Sequence, residues 1–179
     1  MRLPLALVAL LAACGETQYF APPPVVSETR IDVRANTVLV NDVSMPEYAI
    51  NQEIPIQRPD GSLVTDTDRL WADLPDRALQ VSLARHLNQI TDAQAAIEPW
   101  PLSGFPDIEV TVTIEDMIVQ ANDTLLFSGS YALRDDASRR GTIDVFRFVT
   151  PVGGTSYPAI MAAHETAWLA LAEQMARQL

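Results

Sequence analysis

The chain has 179 residues, 12 basic and 23 acidic, for a net charge of −11, and every basic residue is an arginine. That balance repels nucleic-acid phosphates and anionic headgroups alike, so neither is an electrostatic partner. With Cys14 as its only cysteine the chain cannot close a disulfide on itself, and its length suits one domain with a core of its own.

In chain order, Arg2 precedes an apolar run, Leu3 to Leu10, that closes on Leu11-Ala12-Ala13-Cys14. The run is roughly half of what a helix needs to cross a bilayer, so residues 1–13 read as a cleaved secretory signal. Small residues just before the cysteine read as a lipobox. The precursor is then cut before Cys14, which carries acyl chains, and the mature protein is tied to a membrane outside the cytoplasm by lipid. Loss of Arg2 leaves 11 arginines against 23 acidic residues, a mature net charge of −12. Residues 14–28 read as the lipidated cysteine and a proline-rich tether, because Pro22-Pro23-Pro24 favours an extended conformation. Tyr19 and Phe20 leave two options, part of that spacer or a first strand docked on the domain.

A single globular domain is expected over 29–179. Arg30 to Arg34 alternates polar and apolar residues as a half-buried strand does, and Thr37 to Val40 continues as strand. Met45-Pro46-Glu47-Tyr48 breaks the pattern. Ile54 to Arg58 and Ser62 to Thr65 flank the turn residues Pro59-Asp60-Gly61 and read as a hairpin. Asp73 as N-cap and Pro75 in the first turn open a helix whose apolar face is Leu79, Leu83, Leu87 and Ile90. Arg77, Gln80, Arg85 and Asn88 fall mostly on its other side. Prolines 99, 101 and 106 with Gly104 mark an irregular connection. Strict alternation from Ile108 to Glu115 is the clearest strand, and a slip at Asp116 predicts a bulge. Strands through Phe127 to Leu133 and Thr142 to Val149 complete an antiparallel meander. A final helix from about Pro158 carries Ile160, Ala167, Trp168, Leu171 and Met175, interrupted by His164, Glu165, Glu173 and Arg177. The fold class is a two-layer α/β (α+β) arrangement. Its sheet is mixed and largely antiparallel, with two amphipathic helices packed on one face.

Catalytic groups are sparse. His86 and His164 both fall on predicted helices with no partner in sight, and read as surface or helix-flank residues. Asp60, Asp66, Asp68 and Asp73 lack the register of a calcium loop and read as a solvated acidic stretch. Gly153-Gly154 lacks the context of a phosphate loop. No catalytic residue, metal ligand or cofactor is assigned. Trp71 reads as a core residue at the start of the first helix. Trp100, among prolines, and Tyr48, in the irregular Met45 to Ile50 segment, are candidate contacts to another subunit or partner.

The order of these features resembles the PqiC-like lipoproteins, the auxiliary lipoprotein components of ABC-type transport systems. The features are the lipobox at Cys14, Tyr19-Phe20, Pro46-Glu47-Tyr48, the Ile54 to Arg58 strand, Leu70-Trp71-Ala72-Asp73-Leu74, the meander and an alanine-rich last helix. The chain departs from that pattern at the prolines after Phe20 and at Ala49-Ile50-Asn51. The resemblance implies a fold like the N-terminal domain of the translocation protein TolB. It further implies a non-enzymatic lipoprotein, anchored in the outer membrane and facing the periplasm. Such a subunit supports lipid transport by an MCE system, as a homo-oligomeric ring that meets an MCE-family tunnel protein. Gly15, in place of aspartate after the lipidated cysteine, is compatible with outer-membrane sorting. The alternative is a structural envelope lipoprotein that binds another periplasmic protein or the cell wall.

Overall fold

The computed structural model describes residues 16–135 and 138–179, so Cys14 and the signal segment lie outside the described residues. In chain order the elements are β1 (Gln18–Phe20), β2 (Thr37–Val40), β3 (Ile56–Gln57), β4 (Leu63–Val64), β5 (Arg69–Trp71), α1 (Pro75–Ile90), β6 (Gln94–Ile97), β7 (Ile108–Val119), β8 (Thr124–Asp135), β9 (Arg140–Pro151) and α2 (Tyr157–Ala176). The sheet is organised around β7. On one side β7, β8 and β9 form the antiparallel meander. On the other side β2 and β3 both run parallel to β7, with β6 parallel beyond β2 and β4 antiparallel beyond β3. The sheet is therefore mixed and largely antiparallel, as the pattern predicts. β1 and β5 form a small parallel ladder of their own.

The alternation slip is a bulge. Ile114 faces Gly129 and Asp116 faces Ser128, so Glu115 is the unpaired extra residue. Gly129 is required here, because a Cβ at that position would lie 2.1 Å from the Thr113 carbonyl oxygen. The Phe146 ring covers the gap left by the missing side chain.

Both helices cover one face of the sheet. Leu79, Leu83, Leu87 and Ile90 of α1 are wholly buried, together with Val110, Val112, Ile114, Met117, Leu125, Phe127 and Tyr131 from the sheet. Pro75 holds the first helical position, where a missing N–H costs nothing. The N-cap is Leu74 and not Asp73: the Asp73 carboxylate accepts from the Leu74 N–H and pairs with Arg77 instead. Ser156 caps α2 by accepting from the Ala159 N–H. The helices run parallel to one another and opposite to β7. Their last turns meet the same segment, with the Ile31 N–H on the Ile90 carbonyl at 2.7 Å and the Arg34 N–H on Leu179 O at 3.1 Å.

Two sequence expectations are corrected. Arg30 to Arg34 is not a strand: its alternation is real, with Ile31 and Val33 turned toward the core, but it lies on the helices and pairs with no strand. Gln80 and Asn88 are not solvent-facing spectators. Buried Gln80 donates to the Val40 carbonyl, and Asn88 both donates to and accepts from the backbone of Ala95. That bidentate contact occupies the free side of β6 and closes one sheet edge.

Candidate functional site

Both histidines are buried, which corrects their reading as surface or helix-flank residues. His164 stands edge-on to Trp71 at 4.9 Å and to Trp168 at 6.0 Å, and the two indoles stack at 5.8 Å. Its Nδ1 donates to the Ile160 carbonyl at 2.9 Å. Burial pushes its pKa down to about 4, so the ring is neutral at neutral pH.

His86 lies across the helix seam from Glu165, with Nε2 3.0 Å from Oε1, and both side chains are fully buried. The contact is a close polar approach and not an aligned hydrogen bond, since neither ring nitrogen has a well-directed partner. Glu165 also accepts from Ser82 Oγ at 3.1 Å and from Arg85 at 2.5 Å. Burial pushes this carboxyl up, but the His86 contact, the Arg85 charge and the Ser82 hydroxyl outweigh it and hold the pKa below the usual range.

Ser82, His86 and Glu165 are the residue types of a hydrolytic triad in the wrong order. The serine bonds the glutamate and not the histidine, and a carboxylate whose pKa is held low and whose charge is paired with Arg85 is a weak base for the serine's proton. None of the three lines either surface groove of the domain. The cluster fastens α1 to α2. Among the described residues no group of three or more His, Cys, Asp or Glu is placed to hold a metal ion. Asp60 and Asp66 satisfy local backbone groups, Ser62 N–H and Asp68 N–H. Among the described residues no helix is long and apolar enough to cross a membrane.

Cys14 lies outside the described residues. Tyr48 is half-buried against the core; its hydroxyl accepts from the Met117 N–H at 3.3 Å and donates to the Glu115 carbonyl at 3.5 Å, which pins the β7 bulge. Trp100 is also half-buried, and its indole N–H has no partner. The structure does not bring the two into contact. Apolar groups that the sequence did not single out are more exposed than either. Phe105 is 91% exposed beside Leu102 in the irregular connection, and Ile143, Val145 and Val149 stand out from the uncovered face of β9. The signal was present in β9: apolar residues occupy both sides of its alternation, Phe146 and Phe148 facing the core and these three facing away.

Two grooves sit at opposite ends of the domain. The larger, about 670 Å³, lies where β7 begins and the helices end, and is lined by residues including Arg34, Asp107, Arg140 and Gln178. The smaller, about 190 Å³, lies where β7 ends and α2 begins, and is lined by residues including Ile56, Val119, Val152 and Ile160.

No curated protein matches the chain. A crystal structure of a protein described only as uncharacterized superposes with a TM-score of 0.74 at 19% identity, over 92% of this chain and 99% of that one. Protein XCC0632 from Xanthomonas campestris, of the DUF330 family, superposes at 0.65 and 16% identity, over 88% and 92%. A PelC dodecamer from Paraburkholderia phytofirmans reaches 0.49 at 12% identity, over 84% and 95%. The first two share the fold. Residues 20–176 match the family model of the ABC-type transport auxiliary lipoprotein component, the PqiC-like lipoproteins, and the chain belongs to that family.

Proposed function

We propose that this protein is a lipid-anchored periplasmic lipoprotein of the outer membrane. In this reading it is a non-enzymatic auxiliary subunit of an MCE/ABC-type system that moves lipids between two membranes. The observation that carries the reading is one conjunction: a domain of the auxiliary lipoprotein family lies directly behind a lipobox whose cysteine is the only one in the chain. The buried polar cluster has the wrong connectivity for catalysis, which supports a binding or scaffolding role over an enzymatic one. Neither of the two grooves described is a closed lipid cavity, which favours a lipid path walled by several copies in a ring. Tyr48 and Trp100 are our candidate contacts between copies or to an MCE-family tunnel protein. Phe105 and the outer side chains of β9 give further apolar surface for that purpose.

The test is fractionation and partner capture from cells. Wild-type protein is expected in the outer-membrane fraction after a salt wash, and Cys14→Ala is expected to be lost from that fraction. Acyl burial at about 0.8 kcal/mol per methylene is the term that holds the mature chain in the outer membrane in this reading. Crosslinking is expected to recover a homo-oligomer and an MCE protein. A Cys14→Ala protein that stays in the outer-membrane fraction overturns the anchor. Recovery of cell-wall or unrelated envelope partners in place of an MCE protein overturns the transport role in favour of a structural lipoprotein.

A further inference from the structure

We infer that the anchor imposes one orientation on the domain: the end where β7 finishes and both helices begin faces the bilayer, and the end bearing the larger groove and the β8–β9 turn points away. This rests on the proposed lipid attachment at Cys14 and deepens it.

A free tether over 14–28 reaches roughly 50 Å at 3.3–3.6 Å per residue, longer than the domain, and imposes no orientation. The structure shortens it. β1 is docked, with the Gln18 N–H on the Asp68 carbonyl at 2.9 Å and the Ala72 N–H on the Phe20 carbonyl at 2.8 Å. The Phe20 ring stacks on Tyr157 at 5.2 Å, in the first turn of α2. Beyond the prolines the chain stays attached, through Thr29 on Glu173 at 3.2 Å and Ile31 on Ile90 at 2.7 Å. Only residues 15–17 remain between Cys14 and the first hydrogen-bonded residue, a reach of about 14 Å.

That leash starts at a defined level of the fold. β1 is parallel to β5, β5 meets Glu53 at Leu70 in an antiparallel bridge, and the strand after Glu53 joins β7 at Val119. Gln18 therefore lies near the finishing end of β7. The opposite end begins at Ile108, and beyond it the β8–β9 turn extends from the Asp135–Arg140 pair. The 12 residues of β7 separate the ends by about 40 Å at 3.3 Å per residue. While β1 is docked, a leash about a third of that length holds the near end at the bilayer and excludes the inverted orientation, in which the far end rests on the membrane and the near end points away. The near end carries the exposed carboxylates Asp60, Asp66 and Asp68, which anionic headgroups repel, so the lipid and the leash, and not electrostatic attraction, set the orientation.

Energy transfer measures it. Acylation of Cys14 leaves an introduced cysteine as the only free thiol, so Thr67→Cys at the near end and Ser138→Cys at the far end can each carry one donor dye; both positions are exposed. The lipidated full chain is reconstituted into phosphatidylethanolamine–phosphatidylcholine vesicles that contain an acceptor-labelled headgroup. Transfer at Thr67 is expected to be several-fold stronger than at Ser138. Phe20→Ala with Tyr157→Ala frees β1, lengthens the leash and is expected to shrink that difference. Equal transfer at the two sites, or stronger transfer at Ser138, on protein that co-floats with the vesicles overturns the orientation. Failure of the lipidated protein to co-float overturns the anchor itself, so the two failures are distinguishable.

Discussion

His164 and Glu165 are neighbours on α2, both almost fully buried, and the fold settles their charges in opposite ways. His164 turns into the pocket of Trp71 and Trp168, where no counter-ion stands, and the ring gives up its proton. Glu165 turns toward α1, where Arg85, His86 and Ser82 surround it, and keeps its charge. One turn of one helix thus holds an apolar solution and an ionic solution to the same desolvation problem. What decides between them is the direction each side chain takes from the backbone. The comparison also bears on function, because two features that suggest chemistry in a sequence are accounted for by helix packing.

The ionic region is the one that breaks hardest. Glu165→Ala leaves His86 buried without its carboxylate and opens a void at the seam, and an expected loss of about 3–5 kcal/mol follows. Urea melts at neutral pH check it. An unchanged midpoint means that the seam relaxes around the loss and that Glu165 is not what joins the helices.

Why the sequence disclosed one half of this and not the other is a matter of period. The meander, the bulge, the Asp60-Gly61 turn and the apolar stripe of α1 are written in spacing, since period two and period 3.6 each fix a buried face. The burial of Trp71 follows from its size and its place before Pro75. His86, Gln80 and Glu165 carry no such mark. A polar residue within a helix reads as solvent-facing until its partner on another helix is known, and Ser82 and Glu165 are 83 residues apart. The Arg30 to Arg34 alternation was legible as one-sided burial, but alternation does not say whether a sheet or a helix pair covers that side. The exposed ladder of β9 was hidden for a related reason. Phe146, Phe148, Ile143 and Val145 are apolar on both faces, and only the topology shows which face the helices leave bare.

Acid sharpens the comparison, because the two regions respond over different pH ranges. The folded pKa of His164 is about 4 against an ordinary value of 6.5. Between those values the unfolded chain binds a proton that the folded chain refuses. The contribution is complete above pH 6.5 and is lost as pH falls, reaching about 3 kcal/mol near pH 4 and about 2 kcal/mol at pH 5. Glu165 is depressed from 4.5, so its contribution is present above that value and is lost only below it. The interval from pH 7 to 5 therefore lies within the range of the aromatic pocket and above that of Glu165. Urea melts of wild type are expected to lose stability across it, and His164→Gln to flatten the loss. An undiminished slope in that variant assigns the protons to another group.

Arg85 supplies the smallest effect and the finest test of where the ionic region ends. Its guanidinium is 2.5 Å from Glu165 Oε1, the shortest of the three contacts to that carboxylate, yet its side chain is 44% exposed while Glu165 is fully buried. Distance alone ranks it first. Solvent reverses the ranking, because water screens an exposed cation and takes its place when it is removed. Ser82 and His86 have no such substitute, being buried with the carboxylate. Arg85→Ala is therefore expected to cost about 1 kcal/mol or less, well below Glu165→Ala. The loss should shrink further in high salt, whereas the Glu165→Ala loss should not. Melts of both variants at low and high ionic strength measure the difference. Equal losses would make the outer cation, and not the buried His86–Ser82 pair, the partner that keeps Glu165 charged at the seam.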